Sequence, residues 1–189
     1  MHRLPENLIS DYFLRGQAIL NSILHAEVSN LAHAIDAVRI SNSTVFIAGN
    51  GGSASTASHF ATDIGVGSMH RANPVRVVSL GDNAAVMTAL ANDLDYSAVF
   101  EQQVRLLAKE GDLLILISAS GNSPNLLNAA KAAKEIKVNV FSLTGFDGGE
   151  LRNLTLGNNV HVKTELGEYG LVEDAHLAIC HVITECVRA

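Results

Sequence analysis

The chain has 189 residues, 48% of them hydrophobic, and a formal net charge of −6. That length suits one domain with a full core, and the chain is too apolar to stay disordered. An acidic balance with no basic run, no Trp and few aromatics excludes the electrostatic and stacking footprint of a nucleic-acid binder.

Residues 7–40 carry apolar side chains near helical spacing (Leu8, Tyr12, Ile19, Ile23, Leu31, Ile35, Val38), which predicts one bent helix or two consecutive ones. Residues 44–48 (TVFIA) read as a buried strand running into a glycine loop at 49–53, with a helix from 53 to about 64. A second strand at 75–80, a short helix at 83–90 and a helix at 97–109 closed by Gly111 follow. Residues 113–117 (LLILI) form a continuous apolar run, as expected of a parallel strand buried on both faces. A polar loop at 118–123 leads into a helix at 125–137, then a strand at 138–143 ending in TGFDGG. A short strand at 159–163 and a helix from about 172 to 187 complete the chain. This alternation predicts an open parallel sheet with helices on both faces. Ligands then bind beyond the carboxyl ends of the strands, where the 49–53 and 118–123 loops both lie.

The 118–123 loop has the parts of a phosphate site. Ser118, Ser120 and Ser123 supply hydroxyl donors, Ser123 occupies an N-cap position, and Pro124 opens the helix. Unpaired N–H groups and the helix dipole add partial positive charge there. The glycine loop (Gly49, Gly51, Gly52) also fits G-x-G-x-x-A, the dinucleotide fingerprint, with Asp82 as a possible ribose ligand. Asp82 stands farther away than the usual ~20 residues, however, and a dinucleotide needs no second hydroxyl-rich loop.

His59 and Asp63 share one helix face, four residues apart, and make a half-site for a divalent metal. His181 in the last helix is placed to join a site. His176, in line with Val172, Ile179 and Ile183, reads as a packed, hydrogen-bonded core histidine. Glu173 and His181 are separated by about 12 Å of helical rise. Both therefore serve one ion only if Glu173 precedes the helix or two chains share the site. Asp174 reads as a helix-start carboxylate and 147–149 as a turn, while the Asn92-Asp93 pair is placed to hydrogen-bond a polyol or to cap a helix, capping being the stronger reading for Asp93 alone. Cys180 and Cys186 are too far apart for a bridge within one helix and read as buried, reduced thiols. The opening residues lack the apolar segment of a leader, and no run approaches the ~20 residues of a membrane span. The expectation is a cytoplasmic protein.

AGNGGSA at 48–54, HFATD at 59–63, AxAND at 89–93, GDLLILISASGNSPN at 111–125, LTGFDGGEL at 143–151 and VEDAHLAICH at 172–181, in this order, resemble the sugar isomerase (SIS) domain family. Within it they resemble the sedoheptulose-7-phosphate, or phosphoheptose, isomerases. The resemblance implies a single SIS domain over 1–189, with an N-terminal helical segment at 1–40 for oligomer packing and an α/β core at 41–189. The core would be a three-layer, flavodoxin-like fold with a five-stranded parallel sheet, assembled as a homotetramer with active sites between subunits. By position, Asn50, Gly51, Gly52, Asn92 and Asp93 would contact sugar, and Ser118, Ala119, Ser120 and Ser123 would hold phosphate. His59, Asp63, Glu173 and His181 would occupy the metal and acid/base positions, with Glu173 also facing substrate and zinc as the ion. Asp63, Glu173 and Ala119 stand where the family usually has Glu, Gln and Thr.

The implied reaction converts sedoheptulose 7-phosphate to D-glycero-D-manno-heptose 7-phosphate through an enediol, the first step of nucleotide-activated heptose synthesis. Asp63 would act as base and His181 as proton relay. The rival readings are a non-catalytic SIS module of the replication-initiator-binding type and a dinucleotide-dependent oxidoreductase. The retained His59 and His181 argue against the first.

Overall fold

The computed structural model describes residues 6–189; the first five residues of the N-terminal segment expected at 1–40, which also open the stretch without a leader's apolar segment, lie outside it. Two helices, α1 (Glu6–Ser22) and α2 (His25–Ile40), precede β1 (Thr44–Gly49), α3 (Gly52–Gly67), β2 (Arg76–Ser79) and α4 (Ala84–Asp93). A 3-10 turn (Tyr96–Ala98) leads into α5 (Val99–Leu107), followed by β3 (Leu113–Ser118), α6 (Pro124–Glu135), β4 (Asn139–Phe146), α7 (Gly149–Leu154), β5 (Asn159–Lys163) and α8 (Tyr169–Arg188).

All four strand pairings are parallel, in the order β2-β1-β3-β4-β5. This is the flavodoxin-like order, whose direction reverses between β1 and β3. β3 is buried along its whole length, and its side chains divide by parity. Leu113, Ile115 and Ile117 face α2, α3 and α8 in one core cluster, whereas Leu114 and Leu116 face α5 and α6 in the other. Each such Leu or Ile, fully buried, contributes about 1.5–3 kcal/mol relative to exposure. An acidic side chain sets the strand entrances: Asp112, 2% exposed, accepts N–H bonds from Thr44 at 2.8 Å and Lys109 at 2.9 Å.

Several expectations need correction. The helix expected to close at Gly111 ends at Leu107, and Gly111 lies in the turn before β3. The 147–149 turn continues into α7, a short helix that the sequence pattern did not reveal. The last helix starts at Tyr169, so Asp174 lies inside it and is not a helix-start charge. Its carboxylate accepts the Tyr12 hydroxyl at 2.6 Å, and Arg15 pairs with Glu168, which fastens α1 to the start of α8. Asp93 caps nothing; Asp95 caps the 3-10 turn through the Ser97 N–H at 2.7 Å. Cys180 is buried, but Cys186 is exposed.

His176 is buried as expected, yet neither ring nitrogen has a hydrogen-bond partner among the described residues. Burial pushes its pKa from 6.5 down to about 4. An unfolded imidazole binds a proton below about pH 6.5, and the folded one stays neutral to about pH 4. This contribution to stability is therefore intact above pH 6.5. It falls through that window by about 1.4 kcal/mol per pH unit as acid is added. His161, half-buried, is pushed down in the same direction, by burial first and then by Arg152. His176→Leu is expected to flatten the dependence of Tm on pH between 6.5 and 4.5. An unchanged acid limb would assign that sensitivity to other groups.

Candidate active site

The strand order reverses between β1 and β3, the place where open parallel sheets bind ligands beyond the carboxyl ends of their strands. Gly49 at the end of β1 pairs in register with Ile117 of β3, so the glycine and serine loops leave the sheet side by side. In the serine loop, Ser118 Oγ accepts the Gly121 N–H at 3.0 Å and Ser120 Oγ accepts the Asn122 N–H at 3.3 Å. Both oxygens are thus oriented by backbone donors while their own O–H groups remain free to donate. Ser123 occupies the cap position of α6 without making a side-chain cap bond. The Ala119 carbonyl accepts the Gly145 N–H at 3.0 Å, which leaves its N–H as the polar group available to a ligand.

The turn after β4 braces this loop. The Leu151 N–H reaches the Gly121 carbonyl at 2.9 Å, and the Glu150 N–H reaches Asn122 Oδ1 at 3.0 Å. Gly121 adopts φ +65°, and a Cβ there would run into the Gly148 carbonyl. Only glycine fits both the conformation and the space.

In the glycine loop, Asn50 faces inward. Its amide pairs reciprocally with that of Asn125, both bonds at 2.9 Å, and its Oδ1 also accepts the Tyr96 hydroxyl at 2.9 Å. Gly52 begins α3 directly beneath the Glu173 carboxylate, which occupies the space that any side chain at 52 would need. Asn92 and Asp93 lie exposed at the end of α4, joined by a 2.9 Å bond. Asp82 accepts hydroxyls from Ser79 at 2.9 Å and Ser58 at 3.3 Å, so its carboxylate is already engaged by the protein.

The third component lies where α3 packs on α8. Ala57, Phe60 and Ile64 share a core cluster with Ala175, Ile179 and Ile183, and this contact sets the polar residues beside the seam face to face. His59 Nε2 lies 3.0 Å from His181 Nε2 and 3.2 Å from Asp63 Oδ2, with His181 Nε2 at 3.9 Å from the same oxygen. Ligands at about 2.0–2.1 Å around a tetrahedral zinc stand roughly 3.3 Å apart. Two imidazoles and a carboxylate at these separations therefore fit a zinc-like ion. Nearby Cys180 is no competitor, because burial and then the charge of Asp63 hold its thiol protonated.

Of the four residues expected at the metal, the structure brings together three. Glu173 sits two helical turns from His181 in the unbroken α8 and lies instead against the glycine loop. Asn125 and Tyr96 were not among the expected site residues. An Asn in a helix first turn carries no sign of a partner 75 residues away, and the Pro-Asn pair reads as a helix start.

Residues 11–145 match the family model described as the SIS domain. The chain is 32% identical over 183 residues to the phosphoheptose isomerase of Laribacter hongkongensis, covering 95% of this chain and 93% of that one. Its fold is similar to that of phosphoheptose isomerase from Neisseria gonorrhoeae, with a TM-score of 0.87 and 28% identity over 97% of this chain and 98% of that one. A phosphoheptose isomerase from Francisella tularensis gives a TM-score of 0.87 and 25% identity, with 96% and 97% covered. The chain belongs to the SIS domain family, among the phosphoheptose isomerases.

Gly121→Ala is expected to cost at least about 1–3 kcal/mol of stability through the backbone conformation alone and to abolish phosphate binding. Retention of wild-type Tm and phosphate affinity would contradict the role given to the loop brace. His59→Ala or His181→Ala is expected to weaken zinc binding beyond the ~10–100-fold typical of losing an outer-shell partner, as read by competition with a chromophoric chelator. Unchanged affinity would mean that these residues hold no zinc.

Proposed function

We propose that this protein is an aldose–ketose isomerase that converts sedoheptulose 7-phosphate to D-glycero-D-manno-heptose 7-phosphate, opening nucleotide-activated heptose synthesis. The observation that carries this reading is the convergence of His59 and Asp63 with His181, which lies 122 residues from His59, in a chain with a separate loop lined by serine hydroxyls. Binding energy from the remote phosphate, held by Ser118, Ser120, Ser123 and the Ala119 N–H, would fix the seven-carbon chain and orient its reacting end.

Asn50, Gly51, Gly52, Asn92 and Asp93 would contact the sugar hydroxyls, with the Glu173 carboxylate facing the chain from above Gly52. The Asp63 carboxylate would remove the proton from the carbon beside the carbonyl. His181 would carry a proton between the two oxygens of the resulting enediol. A divalent ion, zinc by its donor set, would be held by His59, Asp63 and His181 and would supply charge stabilisation at the carbonyl oxygen.

We further propose one SIS domain over the whole chain and a homotetramer with sites between subunits. Leu8, Ile9, Phe13 and Leu14 of α1 are 60–71% exposed, and α4, which carries Asn92 and Asp93, has no buried residue. Both surfaces favour coverage by another subunit. Among the described residues no helix is long and apolar enough to cross a membrane. The two free cysteines suit the cytoplasm, where we place the protein.

Purified protein is expected to isomerise sedoheptulose 7-phosphate, with kcat reduced about 10²–10⁴-fold in Asp63→Asn and His181→Ala. Chelation should lower turnover, and zinc should restore it. A folded, phosphate-binding protein with no turnover would overturn the assignment.

A further inference from the structure

We propose that Asn125 is a positioning residue that turns Asn50 into a donor-only contact for the sugar end of the ligand. The proposal rests on the sugar-phosphate reading above. Asn125 is 2% exposed, and a buried amide is stable only when paired. Both polar atoms of its amide have a partner, and the pairing is reciprocal: Asn125 Nδ2 donates to Asn50 Oδ1 and Asn50 Nδ2 donates to Asn125 Oδ1, both at 2.9 Å.

The Tyr96 hydroxyl takes the remaining lone pair of Asn50 Oδ1 at 2.9 Å. An amide oxygen has two acceptor positions and an amide nitrogen two hydrogens. Asn50 is therefore left with a spent carbonyl and one free N–H. Whatever it recognises must accept that hydrogen bond, as a sugar hydroxyl or carbonyl oxygen does.

The arrangement also sets a distance. Asn50 follows β1 and lies among the loop glycines, whereas Asn125 sits in the first turn of α6, two residues after Ser123. The amide pair ties the sugar-contacting loop to the end of the phosphate loop. Tyr96 joins the segment that follows Asn92 and Asp93 to the same oxygen. The Asn50 amide thus links the glycine loop, the helix that follows the serine loop and the segment that follows Asn92 and Asp93.

The test measures binding by calorimetry for two probes, sedoheptulose 7-phosphate and glycerol 3-phosphate, the second reaching the serine loop without the sugar hydroxyls. Asn125→Ala and the similarly sized Asn125→Leu are expected to weaken the heptose phosphate at least ~10-fold and to leave glycerol 3-phosphate within ~2-fold. Asn50→Ala should do the same, and the double variant should be no weaker than Asn50→Ala alone, because both changes remove one contact.

Equal loss for both probes would reassign Asn125 to holding the fold of the serine loop, and additive losses or no loss would also overturn the proposal. Tyr96→Phe, at an exposed position, should weaken only the heptose phosphate without lowering Tm. It decides the question if both Asn125 variants lose the fold. Failure of the unmodified protein to bind the heptose phosphate while binding glycerol 3-phosphate would overturn the heptose reading itself, and the proposal with it.

Discussion

The packing of α3 on α8 is the contact on which the rest of the site depends. Phe60 and Ile64 on one helix and Ile179 and Ile183 on the other are almost wholly buried, and these four side chains are apolar. Its consequence is chemical. With the seam in place, His59 and Asp63 on one helix must face His181 on the other, and three ligand atoms converge without any loop to hold them. A site on two packed helices keeps its geometry better than one on loops. The same packing brings Glu173 over Gly52, where the absence of a side chain makes room for a carboxylate.

The sheet supplies the second constraint. Strand order places the reversal between β1 and β3, so two loops distant in sequence emerge as neighbours, and each is then fixed by a partner from elsewhere. The serine loop rests on the turn after β4, and the glycine loop is tied through Asn50 to α6. The serine loop holds no lysine or arginine. The phosphate site proposed there would rely on hydroxyls, backbone N–H groups and a helix terminus, which suits an acidic protein that releases a phosphorylated product.

The sequence made much of this legible because the signals were local. The apolar run Leu113–Ile117 followed by Ser118–Pro124 spacing marks a buried strand, a polar turn and a helix start, and each is where expected. The i, i+4 spacing of His59 and Asp63 put both on one face. Features set by contact across the fold were illegible. Nothing near Glu173 reveals that it meets Gly52 and not the histidine pair, since that depends on where α8 begins and how it crosses α3. α7 is six residues long, too short for periodicity to register. Asn125 and Tyr96 look like an ordinary helix start and an exposed aromatic until their common partner is seen. His176 was legible as a core residue from its helical phase, but its unpaired ring nitrogens depend on neighbours from other elements.

The central claim is that one ligand spans the serine loop and the His59–Asp63–His181 cluster. A crystal structure of the protein with sedoheptulose 7-phosphate tests it most directly. The expected result is a phosphate within hydrogen-bonding distance of the Ser118, Ser120 and Ser123 hydroxyls, with the first two carbons of the sugar facing Asp63 and His181. A phosphate bound at the histidine cluster, or a sugar chain directed away from it, would contradict the claim.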